Sequence, residues 1–415
     1  MSAHSPTPPE PSYRALLRVP SLGRALLGTQ LARLAQAMVG VTMVLFTLIE
    51  YRSPALAGAV TFASLAPGIL VSPLAGALLD RLGRVRLIAL DFVIAMLSLG
   101  LIGVLGTLDL LPPPVLILIA AISSLTGIFS ATGLRTLFPL MAPKELWERL
   151  NAVDSNGYVI ASIVGPPLAG LAVGLVGGPL ALLSIALLYG LAALVVIRVP
   201  EPPHEAVSSG NLLTDAWLGL KYTWRNRTLR GIGFSLTVAN LGNGMTTIVV
   251  PLIILQRLHL PEAAVGLVFA AQGVAGMVSG FAAGRLDTRG RERRLIAVPS
   301  LLMAPAAALL LINDGLWPII LSMALIGLVV GPLDVAMFTL RQRRTDPAWM
   351  GRAFAISMAF NFAGYPVGAA IFGAIAGSSI ELAIGLGVVA LLISGLLAQV
   401  LIPSHEPAAS ASVSG

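Results

Sequence analysis

Twelve stretches of this chain are apolar for about 20 residues each, which is the length that an α-helix needs to cross a lipid bilayer. This feature limits the possible folds more than any other, because a segment in lipid must satisfy its backbone hydrogen bonds internally. The sequence therefore predicts an all-α integral membrane protein with twelve transmembrane helices. The predicted spans are residues 25–49, 56–79, 87–107, 114–138, 153–175, 178–197, 232–255, 263–284, 295–313, 317–340, 354–375 and 379–402.

The composition excludes a water-soluble protein. Hydrophobic residues make up 56% of the chain, charged residues make up 11%, and the mean hydropathy is +0.90. So few charged residues cannot cover a soluble surface, so we expect the chain to lie in a lipid bilayer. The chain has no cysteine and only four histidines, none of them at metal-ligand spacing. We therefore expect no disulfide, no metal and no cofactor.

The basic residues predict the orientation of the spans. The net charge is +7, but Lys and Arg cluster in alternate loops and form no stripe with interleaved aromatic residues, which argues against a nucleic-acid partner. The opposite loops hold only Arg52 and Arg257. Loops rich in Arg and Lys remain in the cytoplasm. We therefore expect a multi-pass protein of the cell membrane with both termini in the cytoplasm.

The second half of the chain repeats the first about 200 residues later. One aligned segment places Arg33 and Gln36 opposite Asn240 and Asn243. Six spans separate the two copies, so both halves have the same orientation, as in the parallel repeats of some transporters. The sequence predicts two six-helix bundles related by a parallel pseudo-two-fold axis.

The repeat divides the chain into five segments. The longest connection forms the boundary between the halves, and apolar residues recur in it at the spacing of a helix lying on a membrane surface. The predicted segments are a cytoplasmic N-terminal segment (1–24), an N-terminal bundle (25–197), a cytoplasmic linker with an amphipathic helix (198–231), a C-terminal bundle (232–402) and a cytoplasmic tail (403–415).

A charged motif lies between the second and third spans, and a weaker copy follows the eighth. The motif consists of Gly76, Asp80, Arg81, Gly83, Arg84 and Arg86, and the copy contains Gly284 and Arg285. Together with the twelve spans and the repeat, this motif resembles the major facilitator superfamily over nearly the whole chain. Residues 140–152 and 351–354 look like its branch of drug, macrolide and siderophore exporters.

The resemblance implies that the charged motif is a conformational clasp, which stabilises one side of an alternating-access cycle. The alternative is that its charges only fix the topology and anchor the loop at lipid phosphates.

The resemblance also points to a gate. Gly165, Pro166 and Gly170 partly match a glycine-proline motif of drug exporters, and we align Pro366 of the eleventh span with Pro166. Proline removes a backbone donor and clashes with the preceding turn, so a gating kink is expected. The alternative is the ordinary tolerance of proline and glycine in membrane helices.

Polar residues within the spans are the candidates for the substrate cavity. The resemblance implies that the first, fourth, seventh and tenth helices line this cavity. Polar groups in lipid are costly, and they usually face a partner or water. The candidates are Arg33, Gln36, Asn240, Asn243, Gln272, Asp334, Asn361 and Tyr365.

Two of these candidates carry opposite charges. At 1.5 Å per residue, Arg33 and Asp334 lie about 13 and 10 Å from the cytoplasmic ends of their helices. We therefore hypothesise an ion pair between the halves, which closes the cytoplasmic side when the carrier faces outward. The alternative is that Arg33 extends to the membrane surface and Asp334 pairs with Arg341. Asp334 is also the predicted proton carrier, because burial disfavours a charged carboxylate. We expect Asp91 and Asp154, nearer the cytoplasmic ends, to pair with loop arginines or to cap helices.

These features predict a secondary active transporter that exports amphipathic small molecules by alternating access, as a monomer, in exchange for protons. A cavity lined mainly by apolar side chains suits bulky amphipathic substrates better than sugars. The alternatives are a transporter of lipid or lysolipid and a membrane receptor or scaffold that transports nothing. We do not expect an enzyme, because no histidine pair or nucleophile with its base is visible.

Overall fold

The computed structural model describes residues 12–201, 212–285, 289–312, 314–346 and 349–404. The side chains of residues 73, 76, 77, 80, 212, 213, 215, 216 and 350–352 lie outside that description. All regular secondary structure in these ranges is helical, and twelve segments are long and apolar enough to cross a membrane. The predicted all-α class with twelve membrane helices is confirmed.

The helices fall into two halves separated by the linker. The N-terminal half contains α1 (Tyr13–Arg18), α2 (Leu22–Glu50), α3 (Pro54–Ala63), α4 (Ala66–Leu82), α5 (Arg84–Thr107), α6 (Pro113–Met141), α7 (Trp147–Val176) and α8 (Gly178–Val196). Helix α9 (Leu212–Arg225) lies in the linker. The C-terminal half contains α10 (Arg227–Leu252), α11 (Glu262–Ala283), α12 (Glu292–Ala308), α13 (Trp317–Arg343), α14 (Met350–Ala376) and α15 (Ile380–Leu401).

The second membrane span differs from its prediction. The sequence predicts one run over residues 56–79, but two helices, α3 and α4, meet at Ser64 and Leu65. Pro67 lies in the first turn of α4. Because proline has no backbone N–H, it cannot donate to the carbonyl of Ala63, and the α-helical hydrogen bonds of α3 are not continued.

Alternate connections lie on the same face of the bundle because successive spans reverse direction. We call the face that carries most of the loop arginines and the starts of α2 and α10 the Arg-rich face. The other face, whose loops contain Arg52 and Arg257, is the Arg-poor face.

The two halves touch closely in the part of the bundle nearer the Arg-poor face. A Cβ atom added at Gly58 of α3 would lie 2.3 Å from the carbonyl oxygen of Ala369 in α14. A Cβ added at Gly266 of α11 would lie 2.5 Å from the carbonyl oxygen of Pro166 in α7. Only glycine allows backbones to approach this closely, and small residues are the usual means of close helix packing in membranes. Here the halves are therefore held together by backbone-to-backbone contact.

Candidate transport site

A central cavity of about 620 Å³ lies between the two halves. Helices α2 and α7 form one wall, and α10, α11, α13 and α14 form the other. None of its lining residues is charged. Three predicted cavity residues, Gln36, Gln272 and Tyr365, line it. The other polar lining residues are Tyr158, Ser162 and Thr247, and the rest are apolar, glycine or proline.

A second, smaller cavity of about 480 Å³ lies within the N-terminal half. It is bounded by α2, α6 and α7 in the half of the bundle nearer the Arg-rich face. Its lining includes Arg33, Arg135 and Asp154, so its walls carry one more positive than negative charge. Tyr158 belongs to the walls of both cavities, which places the two cavities side by side.

Arg33 is held by α7 of its own half. Its Nη1 donates to the backbone carbonyl of Asp154 at 2.6 Å, and its Nη2 lies 2.8 Å from Oδ1 of the same residue. The guanidinium carbon lies 5.8 Å from the ring centroid of Tyr158. The hypothesised pair with Asp334 is not formed here. It is expected for a carrier closed at its cytoplasmic side, whereas the halves of this structure touch near the Arg-poor face, so it stays a prediction. The expectation that Asp154 pairs with loop arginines is wrong. The reason is that α2 and α7 pack directly against each other, so Asp154 is within reach.

The C-terminal half contains an equivalent contact between α10 and α14, which we call the tie, and it is made by uncharged groups. Nδ2 of Asn240 donates to the backbone carbonyl of Asn361 at 3.1 Å and to its Oδ1 at 3.0 Å. In each half the two residues are 121 positions apart. From Arg33 to Asn240 and from Asp154 to Asn361 the step is the same 207 positions. One structural position is thus filled by an ion pair in one half and by two amides in the other.

This register corrects the predicted alignment of the fifth and eleventh spans. A step of 207 makes Gly364 the counterpart of Gly157, and these glycines contact Thr237 and Gln30, which are themselves 207 positions apart. Pro366 is therefore not the counterpart of Pro166. The two alignments differ by seven residues, which is about two helical turns and leaves the same face aligned. Sequence similarity alone could not separate them.

The glycines of the predicted gate allow close helix contacts. An added Cβ at Gly165 would lie 2.5 Å from the Cβ of Ala37 in α2, and one at Gly170 would lie 2.5 Å from the carbonyl oxygen of Glu262 in α11. Pro166 and Pro366 lie inside the continuous helices α7 and α14. The close packing explains the glycines, while a gating kink stays a prediction.

Four predicted cavity residues, the three asparagines and Asp334, are absent from the lining of both cavities. Asn240 and Asn361 are used in the tie between α10 and α14, and Asn361 is buried. Asn243 lies within α10, and its Oδ1 is buried without a hydrogen-bond partner among the described residues. Among the predicted residues that do line the central cavity, the hydroxyl of Tyr365 is hydrogen-bonded to that of Thr247.

Asp334 lies one helical turn from the central cavity. It follows the lining residue Val330 of α13 by four positions, toward the Arg-rich face, and therefore shares its side of the helix. The positive charge of Arg341, seven residues later in the same helix, acts on Asp334 electrostatically, without an ion pair between the two side chains. Arg341 is fully buried, donates from Nε to Ser357 at 2.9 Å, and lies 5.7 Å from the ring centroid of Phe354. The local pairing of Asp334 with Arg341, the alternative, also stays a prediction.

Asp91 does not pair with the loop arginines either. Its carboxylate is buried in α5 and faces the hydroxyls of Ser130 and Thr126 of α6. The expectation of pairing or capping is wrong because Asp91 points into the helix bundle, where the hydroxyls of α6 are its nearest polar partners.

The charged motif has a partner that sequence reasoning missed. Glu201 follows α8 and accepts from the backbone N–H of Arg84 at 2.7 Å and from that of Val85 at 2.9 Å. These are the first two residues of α5, so the carboxylate caps the start of that helix, where negative charge is favourable. Gly83 permits the preceding turn with a φ of 95°. No local signal in the sequence connects residues so far apart.

The remaining clasp residues can be placed only in part. The side chains of Gly76 and Asp80 lie outside the described residues. Arg81, Arg86 and Arg285 are exposed at the Arg-rich face, and Gly284 ends α11. The clasp therefore stays a prediction.

Two six-helix halves of the same orientation, with a cavity between them, define a secondary membrane transporter. The chain belongs to the Major Facilitator Superfamily, whose family model matches residues 25–239 and again residues 232–415. This confirms the predicted resemblance. The family consists of transporters, so the expectation that the chain is not an enzyme is confirmed as well.

Several known proteins are similar to the chain. An uncharacterized MFS-type transporter of Sinorhizobium fredii, y4rN, is 36% identical over 372 residues, covering 89% of this chain and 92% of that protein. The multidrug efflux pump Tap of Mycolicibacterium fortuitum is 23% identical over 81% of this chain and 85% of its own length. The enterobactin exporter EntS of Citrobacter koseri is 24% identical over 78% and 79%.

A solved structure has the same fold. The crystal structure of a mutant of the nucleoside transporter NupG superposes with a TM-score of 0.76, covering 92% of this chain and all of that one, at 14% identity. At this identity the likeness concerns the fold alone.

Proposed function

We propose that the protein is a secondary active exporter of amphipathic small molecules, which works by alternating access and exchanges its substrate for protons. The observation that carries this proposal is the central cavity, which both halves form and which no charged residue lines. An apolar cavity with a few polar groups suits a molecule with a large apolar body. Tap and EntS, which resemble the chain at low identity, are named as exporters.

The proposed topology gives the state of the carrier in this structure. We place the Arg-rich face in the cytoplasm of a cell membrane, because arginine-rich loops remain on that side. The close contacts at Gly58 and Gly266 then close the carrier toward the outside. Alternating access requires that these contacts open, and contacts between backbones at glycines contain no large side chain that must be repacked.

Asp334 is the proposed proton carrier. It lies one turn from the cavity wall, within electrostatic range of the buried Arg341, so its charge can respond to what the cavity contains. Protonation of Asp334 would remove the negative charge that acts on Arg341, and this would favour a different packing of α13 against its neighbours.

The test is efflux of fluorescent amphipathic compounds from proteoliposomes, with and without an imposed pH gradient. We expect extrusion that follows the gradient in the wild type and in Asp109→Asn, an exposed loop control. In Asp334→Asn the rate should fall to that seen without a gradient.

Two results would contradict the proposal. If Asp334→Asn retains the full response to the gradient, Asp334 is not the carrier. If no compound moves under either condition, the exporter proposal fails, and movement of lysolipid in the same vesicles becomes the next measurement.

A further inference from the structure

We propose that the smaller cavity binds the anionic head group of the substrate, so that the transported molecule is an amphipathic anion. This inference rests on the proposed function and adds the chemical class of the substrate. The apolar body would occupy the central cavity, and the head group would lie between Arg33 and Arg135.

The charges of the two cavities differ in a way that suits such a molecule. The central cavity has no charged lining, whereas the smaller one has two arginines, one aspartate, and the polar side chains of Asn151 and Ser155. Tyr158, which is shared by both, marks where they adjoin. Guanidinium groups bind carboxylate, sulfonate or phosphate through charge-assisted hydrogen bonds.

Arg135 is available for a ligand. Among the residues that the structure describes it makes no ion pair, and its side chain is exposed in the cavity wall. In the other half, Arg341 lies near the Arg-rich end of α13 and is fully buried and bonded to Ser357. Charges within membrane helices are costly and usually have a partner. The C-terminal half provides that partner from the protein, and in the N-terminal half we infer that the substrate provides it.

Asp154 occupies the place of an anion beside Arg33. Its Oδ1 lies 2.8 Å from Nη2 of Arg33 but is not aligned for a hydrogen bond and has no other hydrogen-bond partner among the described residues. The equivalent tie in the other half is made by the amides of Asn240 and Asn361. Charge is therefore not required to hold these helices together. A carboxylate that holds Arg33 by charge alone, without an aligned hydrogen bond, is one that an external anion with better geometry can displace.

The test uses three dansylated probes with the same alkyl chain and different head groups: a sulfonate, a primary amide and a trimethylammonium. Binding to the purified protein in nanodiscs is followed by probe fluorescence, which requires no transport. We expect the wild type to bind the sulfonate at least about tenfold more tightly than the trimethylammonium probe, since hydrogen bonds to charged groups are among the stronger ones.

Variants locate the site. Arg135→Gln should lower the ratio of sulfonate to amide affinity about tenfold, by the loss of one charge-assisted contact. Arg149→Gln is the matched control, because Arg149 lies in α7 outside the lining of both cavities. Asp154→Asn should raise sulfonate affinity several-fold by freeing Arg33.

The outcomes separate the inference from the proposed function. Equal binding of all three head groups, or an unchanged ratio in Arg135→Gln, overturns the anion site while leaving an amphipathic exporter in place. Weaker sulfonate binding in Asp154→Asn overturns the inference that the head group displaces Asp154 from Arg33. If no probe binds, the proposed substrate class itself fails. If the sulfonate probe binds selectively, its competition by lysophosphatidate and by octyl sulfate distinguishes a lipid from a soluble source of the anion.

Discussion

The ion pair of Arg33 and Asp154 joins α2 to α7, and removing Arg33 should destabilise the protein more than removing the charge of Asp154. The exposed fractions of the two side chains are 12% for Arg33 and 18% for Asp154, so both are largely withdrawn from water. A unit-charge pair 4 Å apart is worth about 4 kcal/mol at an effective dielectric constant of 20, and desolvation offsets much of this. We therefore expect a net coupling of about 1–3 kcal/mol.

The asymmetry follows from the other contacts of each residue. In Asp154→Asn, Arg33 keeps its bond to the backbone carbonyl and its place over Tyr158, and it faces a cavity that can admit water. In Arg33→Gln, the carboxylate of Asp154 keeps no ion-pair partner among the described residues. We expect Arg33→Gln to destabilise by about 2–3 kcal/mol and Asp154→Asn by about 1–2 kcal/mol.

The double variant, Arg33→Gln with Asp154→Asn, distinguishes coupling from simple loss of side chains. Its two new amide side chains would form a pair like that of Asn240 and Asn361, so the double variant should be more stable than Arg33→Gln alone. The assay is the apparent melting temperature of the four purified proteins in one detergent. Additive effects of the two changes, or a stability order with Asp154→Asn lowest, would refute the reasoning.

Two further predictions concern the Arg-rich and Arg-poor faces. Glu201→Gln removes the charge of the α5 cap and should cost about 1 kcal/mol, seen as a lower melting temperature. Glu148→Gln removes an exposed charge from the first turn of α7 and should have a smaller effect. Equal effects would contradict the cap. Gly58→Val places atoms against the backbone of α14 and should hold the Arg-poor side open, while Gly385→Val, which has open space, should not. Because the chain has no cysteine, a single Val44→Cys in the central cavity can be labelled to report this opening. Labelling from the Arg-poor side should rise several-fold when Gly58→Val is also present, and should not rise with Gly385→Val.

The fold could be predicted from the sequence because bilayer thickness fixes the length of each apolar run. The break at Ser64 and Leu65 could not, although Pro67 is visible in the sequence. Proline is often accommodated within membrane helices, as Pro166 and Pro366 are here, so its effect on helix continuity depends on packing that the sequence does not display.

The site could be predicted only in part, for a different reason. Intramembrane polarity identifies Gln36, Gln272 and Tyr365 as cavity residues, because a polar group in lipid needs a partner or water. Depth along the membrane can be counted from the sequence, but the direction of a side chain around its helix cannot. Depth and charge match Arg33 with Asp334, whereas the structure places Asp154 beside Arg33 because α7 is its packing neighbour.

The repeat gives the two halves different electrostatic roles, and this constrains how transport can be coupled. In the N-terminal half the arginines face a cavity, whereas in the C-terminal half Asp334 and Arg341 lie outside the lining of both cavities. If the head group binds in one half and the proton in the other, neither ligand touches the other's site. Each ligand can then act only by favouring one arrangement of the halves, and that arrangement is set by contacts such as Gly58 against Ala369. Gly58→Val should therefore leave binding of the anionic probe measurable but remove the dependence of substrate efflux on the pH gradient.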